Sequence, residues 1–293
     1  MSKLRLIVNP VSGTCDKQRI VDKARKRIAA AGFAVEVTPT TCRGDATHLA
    51  QEGIAEGCDT IIAIGGDGTV NEVARALCGS EVALGIIPCG SGNGLARHLK
   101  IPMNVDGAID TIIQHNVVDC DHCTINDIPF FCTFGVGLDA VVSNRFSHLS
   151  HRGFFSYIKS AITEYKHYAP ETYEIKINGE TITETALIIA GGNASQYGNN
   201  AYIAPDADMS DGLIDLTIIH HGSFLSEASL AVELFTKRLN KNHLVTTIRS
   251  SEFEIIRPSE GPAHIDGEPL ILPAHLRIEC HHSTLKILAP LTK

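Results

Sequence analysis

No stretch of this chain approaches the ~20 consecutive apolar residues that a membrane-spanning helix requires. The longest apolar runs, such as Ala186 to Ala190, are strand-sized, so any visit to a membrane would have to be peripheral, from the aqueous side. A basic surplus is also missing. The formal charge of -8 argues against broad binding to nucleic acid, and an anionic ligand would need local compensation. Low-complexity runs are absent, and 44% hydrophobic with 20% charged residues is the composition of a folded protein. The nine cysteines are odd in number and scattered, at Cys15, Cys42, Cys58, Cys78, Cys89, Cys120, Cys123, Cys132 and Cys280. Nothing at Met1-Ser2-Lys3 resembles a signal peptide, so reduced thiols in a cytosolic protein are expected. Cys120-x-x-Cys123 lies near His122 and Cys132, but no second pair stands at zinc-finger spacing.

Two common phosphate-binding spellings are lacking as well. Gly-x-x-x-x-Gly-Lys-Ser/Thr does not occur, and neither Gly66-Asp67-Gly68 nor Gly90-Ser91-Gly92 continues as Gly-x-Gly-x-x-Gly. P-loop and dinucleotide-fold oxidoreductase readings are therefore unsupported.

What is present points to two packed units, because 293 residues exceed the size at which one core usually keeps growing. The first third alternates strand and helix patterns. Leu4 to Val8, Phe33 to Val37, Asp59 to Ile64 and Val82 to Ile87 read as strands. Asp16 to Ala31, Asp45 to Glu56, Thr69 to Cys78 and a segment beginning near Gly92 read as helices. Such alternation predicts a parallel sheet with right-handed crossovers, an α/β unit. Beyond Val117 strands dominate: Phe130 to Phe134, Tyr173 to Ile177, Thr185 to Ala190, Leu213 to Ile219, Phe253 to Ile256 and Leu276 to Cys280. Asn178-Gly179 marks a hairpin, and helical patterns interrupt at Phe154 to Tyr168 and Ser226 to Leu239. The boundaries expected are 1-118 for the α/β unit, with 283-293 returning to it, and 119-282 for a β-rich unit.

Three glycine-bearing loops follow predicted strands: Asn9-Pro10-Val11-Ser12-Gly13, Gly65-Gly66-Asp67-Gly68-Thr69, and Pro88-Cys89-Gly90-Ser91-Gly92-Asn93-Gly94. In a parallel sheet the carboxyl ends of neighbouring strands face one crevice, so these loops should converge. Glycine lets amide groups approach an anion, and the following helix adds its positive end. Any one loop alone reads equally well as a strand-to-helix turn. Asp67 among such amides calls for a metal or a transferable proton; Mg²⁺ supplies the first. Glu72, one turn on, is near enough to support that metal or is a solvated helix residue.

With these loops in view, the chain resembles the lipid kinases that include bacterial diacylglycerol kinases and eukaryotic sphingosine and ceramide kinases. The resemblance also rests on Gly135-Val136-Gly137-Leu138-Asp139-Ala140, Ala204-Pro205-Asp206-Ala207-Asp208 with Asp211-Gly212-Leu213, and Asp266-Gly267-Glu268. It spans essentially the whole chain and implies an α/β domain related to those of NAD kinase and phosphofructokinase. A β-sandwich domain follows, with ATP in the cleft between the two. Asn9, Pro10, Val11, Ser12, Gly13, Thr41, Gly65, Gly66, Asp67, Gly68, Thr69, Asn71, Glu72, Ser91, Gly92, Asn93 and Gly267 would lie at ATP. Asp211, with the backbone of Asp208 and Leu213, would hold a structural Mg²⁺.

Glu268 matches the family's proton acceptor and Asp67 the loop aspartate given that role in sphingosine kinases. The two assignments compete, and the favoured one makes Glu268 the base. Asp139 matches a residue that contacts the lipid head group, though a turn-capping Asp fits it as well. Arg152 resembles an arginine that approaches ATP phosphates, at a departing spacing. Phe146, Phe154, Phe155 and Tyr157 amid basic residues read either as a membrane-facing segment or as helix core. The expected activity is transfer of the γ-phosphate of Mg-ATP to the hydroxyl of diacylglycerol or a sphingoid base at a membrane surface. A homodimer is left open. The rivals are a soluble-substrate kinase such as NAD kinase, and a non-catalytic ATP- or lipid-binding regulator.

Overall fold

The computed structural model describes residues 2–13, 16–147 and 168–291. Arg152, Phe154, Phe155, Tyr157 and the helix expected from Phe154 lie outside them. The chain divides into two compact units, one of residues 1–121 with 283–293 and one of residues 122–282. Among the described residues no helix is long and apolar enough to cross a membrane.

In the first unit β1 (Lys3–Val8), α1 (Lys17–Ala30), β2 (Ala34–Pro39), α2 (Asp45–Ala55), β3 (Thr60–Gly65), α3 (Asp67–Leu77) and β4 (Ala83–Pro88) alternate. Then come α4 (Gly94–His98), α5 (Val105–Gln114) and the start of β5 (Val117–Ile125). Strands β2, β1, β3 and β4 lie side by side, all parallel. Every residue of β3 and β4 is buried, as their unbroken apolar spelling requires of strands covered on both faces. Gly32, at φ +95, follows α1 where only a residue without Cβ is comfortable.

The second unit carries β6 (Ile128–Phe130), β7 (Thr133–Gly137), α6 (Leu138–Ser147), β8 (Glu171–Ile177), β9 (Glu180–Ala186), β10 (Ile188–Gly192) and β11 (Ile214–Ile219). After it come α7 (Phe224–Thr236), β12 (Val245–Ser250), β13 (Glu252–Ile256), β14 (Gly261–Ile265), β15 (Glu268–Leu272) and β16 (His275–Leu288). One antiparallel sheet has the order β12-β11-β10-β7-β14-β15. Opposite it, β13 pairs with β16 and β8, and β8 with β9. Their inner faces meet in one core that includes Phe134, Val136, Ile189 and Leu216 from the first sheet and Phe130, Tyr173, Phe253 and Ile278 from the second. The second unit is a β-sandwich, and the first is an α/β domain with a mostly parallel sheet. The Asn178-Gly179 turn joins β8 to β9 with both residues at positive φ, the two-residue geometry whose twist suits a hairpin.

Several boundaries depart from the sequence reading. The apolar run Thr185 to Ala190 is two strands: Ala186 ends β9, and Ile188 opens β10 in the opposite sheet. Phe130 to Phe134 is interrupted because the Asp266 carboxylate takes the amides of Phe131, Cys132 and Thr133 at 3.0, 2.8 and 3.0 Å. Helix α3 begins at Asp67 rather than Thr69, so part of the second glycine loop is helix. Strand β16 runs well beyond Cys280. Its second half pairs Ile287 with Leu84 of β4, in parallel, inside the first unit.

Candidate functional site

The three glycine loops of the first unit do converge, and their own hydrogen bonds lock them together. Asn9 N–H donates to Ile64 at 3.1 Å and its side-chain amide to Thr69 Oγ1 at 3.3 Å, tying the first loop to the second. Cys89 N–H donates to the Gly65 carbonyl at 2.7 Å. Gly66 and Gly90 are back to back: a Cβ on Gly90 would stand 2.7 Å from Gly66 Cα, closer than any side chain tolerates. Glycine here serves loop-on-loop packing as much as approach to a ligand.

Asp67 has a definite task. Its Oδ2 accepts from Asn93 N–H at 2.9 Å and its Oδ1 from Gly94 N–H at 2.8 Å, so the carboxylate fastens the third loop at the start of α4. Gly92 packs directly on it, with 2.8 Å from the position of a Cβ to Asp67 Oδ2. Asn93 side-chain atoms bridge to Gly90 N and O at 3.0 and 2.8 Å. Helix α3, by contrast, starts at Gly66 without a side-chain cap. Its first-turn amides, those of Asp67, Gly68 and Thr69, point toward the helix N-terminus, where an anion is stabilised. In the first loop Asn9 Oδ1 accepts from Val11 N at 3.1 Å and Ser12 Oγ donates to the Asn9 carbonyl at 3.1 Å. Val11 between them is 87% exposed.

Glu72 and Thr41 stand apart from the roles expected of them. Glu72 accepts from Gly44 N at 2.9 Å and Ala46 N at 3.2 Å, capping α2 from a neighbouring helix. Thr41 donates from N and Oγ1 to Asp45 Oδ2 at 2.7 and 3.0 Å, and these bonds, the backbone one first, hold the Asp45 carboxyl below its ordinary range. Asn71 Oδ1 accepts from Arg75 Nε at 2.6 Å.

The first unit fits a polyphosphate on two observations. One is the glycine cradle; the other is Lys17, 8% exposed, whose ammonium has no hydrogen-bond partner among the described residues. The segment expected to hold Mg²⁺ does not fit a cation as it stands. Both Asp211 oxygens are engaged, Oδ1 by Leu213 N–H at 2.9 Å and Oδ2 by the Arg249 guanidinium. Arg249 also reaches Asp215 at 3.2 Å, while Asp208 Oδ1 accepts from Ser210 N and Oγ at 3.0 and 2.7 Å. Positive charge is already supplied there by the chain. Among the described residues no group of three His, Cys, Asp or Glu side chains gathers as a metal site, Cys120 and Cys123 included.

In the second unit Asp139 is 4% exposed. Its Oδ1 accepts from Ala140 N at 2.8 Å, and its Oδ2 meets Tyr197 OH at 2.8 Å and His264 Nε2 at 3.1 Å. Tyr197 and His264 escaped the sequence reading, since nothing in their spacing links residues 58 and 125 positions away. Glu268, by contrast, is exposed at the first position of β15. The turn before it, Asp266-Gly267, has φ of 48 and 80. Asp266 anchors that turn through the three amides already described, and the Gly267 carbonyl accepts from Ser143 Oγ at 3.2 Å.

Comparison with known proteins agrees with this architecture. The family model "Diacylglycerol kinase catalytic domain" matches residues 3–125, and "YegS C-terminal NAD kinase beta sandwich-like domain" matches residues 132–289. The chain is 32% identical over 257 residues to a "Probable lipid kinase YegS-like" of Yersinia enterocolitica, covering 85% of this chain and 86% of that one. It is 29% identical over 276 residues to a "Diacylglycerol kinase" of Bacillus subtilis, covering 92% and 90%. A crystal structure of a diacylglycerol kinase from Bacillus anthracis superposes with a TM-score of 0.77 at 23% identity, over 99% of this chain and 97% of that one. A second crystal structure from the same organism gives 0.82 at 25% identity, over 99% and 98%.

Proposed function

The chain belongs to the family of YegS-like lipid kinases built on a diacylglycerol kinase catalytic domain, and from that premise we propose that it transfers the γ-phosphate of ATP to a diacylglycerol hydroxyl. The observation that carries the ATP half is the interlocked loop set, with uncapped α3 amides in the second loop and, near Gly13 of the first, a buried ammonium that meets no hydrogen-bond partner among the described residues. The lipid half rests on the family. The name of the Bacillus subtilis relative favours a glycerolipid acceptor, and a sphingoid base is the alternative suggested by Gly90-Ser91-Gly92-Asn93.

When bound, Mg-ATP supplies the phosphoryl group. The lipid hydroxyl oxygen forms the new bond to the γ-phosphorus as the bond to the β,γ-bridging oxygen breaks, and the hydroxyl proton passes to a carboxylate. Glu268 is assigned that carboxylate, because it is exposed at the first position of β15, directly after a turn fixed by Asp266. Asp67 is assigned to holding the third loop, since each of its oxygens already accepts an amide hydrogen. Full deprotonation beforehand is not required, because phosphoryl transfer is loose and the proton can leave late. Phosphate contacts fall to the first-turn amides of α3 and the first loop, and orientation of the hydroxyl is the larger part of the task.

The test is labelled ATP with a panel of diacylglycerol, sphingosine, ceramide and NAD in mixed micelles. Label in phosphatidic acid is the expected result. Label in NAD alone sinks the lipid assignment, and ATP binding without transfer to any member favours a regulator.

A further inference from the structure

Lys17 carries a charge that the described residues leave without a hydrogen-bond partner. It is the first residue of α1, is 8% exposed, and keeps Nζ buried without a hydrogen-bond partner among the described residues. Three unmatched ammonium donors out of water are costly. A cation at a helix N-terminus also faces the positive end of the dipole. The cap of this helix is satisfied without it, since Asp16 Oδ1 accepts from Arg19 N at 3.2 Å. Among the described residues neither a hydrogen-bond partner nor helix electrostatics accounts for a lysine here.

Its position does. Nζ stands 3.9 Å from the point a Cβ on Gly13 would occupy, and the same point is 2.1 Å from the Cys89 carbonyl oxygen. Lys17 therefore reaches the seam where the first glycine loop, at its Gly13 end with φ +62, meets the third. An anion held by these loops would find the ammonium desolvated in advance, and the interaction would be stronger for it. We propose that Lys17 binds the β- and γ-phosphates of the nucleotide and supplies the local compensation that a chain of net charge -8 needs to hold a polyphosphate. This rests on the ATP reading above and extends it to a residue that neither motif spelling nor spacing singles out.

The experiment is calorimetric titration of wild type, Lys17→Met and Lys17→Arg with ATP, AMP and inorganic tripolyphosphate, alongside thermal melts without ligand. Lys17→Met is expected to weaken ATP and tripolyphosphate about 10- to 100-fold, the range of a charge-assisted bond. AMP affinity should stay within about twofold, since AMP offers neither terminal phosphate. The unliganded Tm should hold or rise, because a buried unpaired charge has gone. Lys17→Arg should recover part of the ATP affinity. Equal ATP affinity in wild type and Lys17→Met overturns the role of Lys17 while leaving the nucleotide reading intact. A uniform loss for AMP and ATP with a lower Tm marks the residue as structural and overturns it too. No ATP binding by wild type overturns the nucleotide reading and this proposal together.

Discussion

Carboxylates in this protein differ less in their chemistry than in what already holds them. Asp67, Asp139, Asp211 and Asp266 each accept hydrogen bonds from backbone or side-chain donors of their own unit, and Glu268 is exposed at the first position of β15. Glu268→Gln is expected to lower kcat by about 10²–10⁴-fold, the usual contribution of a general base, with circular dichroism and ATP affinity unchanged; a variant with near-normal kcat removes the assignment. Asp215 is 2% exposed, and burial pushes its carboxyl above the usual range while Arg249 pulls it back. A raised acid pKa means that the folded state holds the proton more tightly than the unfolded chain. The associated stability is present below the ordinary carboxylate value and lost as pH rises through the folded one. Arg249→Met widens that gap. Since the guanidinium is partly exposed, a loss of about 2 kcal/mol at pH 7 is expected, shrinking as the pH falls and Asp215 protonates. Urea denaturation at several pH values checks this, and a deficit independent of pH counts against it.

At the scale of the elements, local spelling located the strands and misplaced their edges. Gly66-Asp67-Gly68-Thr69 has loop composition, yet Asp67 is already helical, because its side chain is anchored by Asn93 and Gly94 rather than bonding its own backbone. Leu187 sits in an unbroken apolar run, yet the chain changes sheet there, and a run buried on both sides carries no mark of such a crossing. Glu72 caps α2, which begins at Gly44 without a side-chain cap of its own. Removing it leaves two amides unmet, so Glu72→Ala should cost about 1–3 kcal/mol and speed hydrogen exchange at Gly44 and Ala46. Unchanged exchange at those amides would show that the helix start holds without it.

At the scale of the whole chain, the last residues belong to the first unit. Leu285, Ile287 and Leu288 are at most 1% exposed, and Ile287 pairs with Leu84. At about 2 kcal/mol for each buried side chain, ending the chain at His282 should remove about 6 kcal/mol, comparable with the ~5–15 kcal/mol that holds a domain together. The truncated protein is expected to lose its cooperative melt or its solubility; an unaltered Tm would contradict the estimate. The sequence by itself determined the α/β and β-rich halves, the parallel character of the early strands, the three phosphate-type loops and the family. Each is written in local periodicity or in a contiguous motif, and such signals survive without knowledge of the fold. Only the tertiary structure decided that Asp67 ties two loops, that Glu72 caps a distant helix, that Arg249 sits where a cation was expected and that Lys17 is buried without a hydrogen-bond partner among the described residues. Those facts depend on residues tens of positions apart meeting in space, and no spacing along the chain encodes such a meeting.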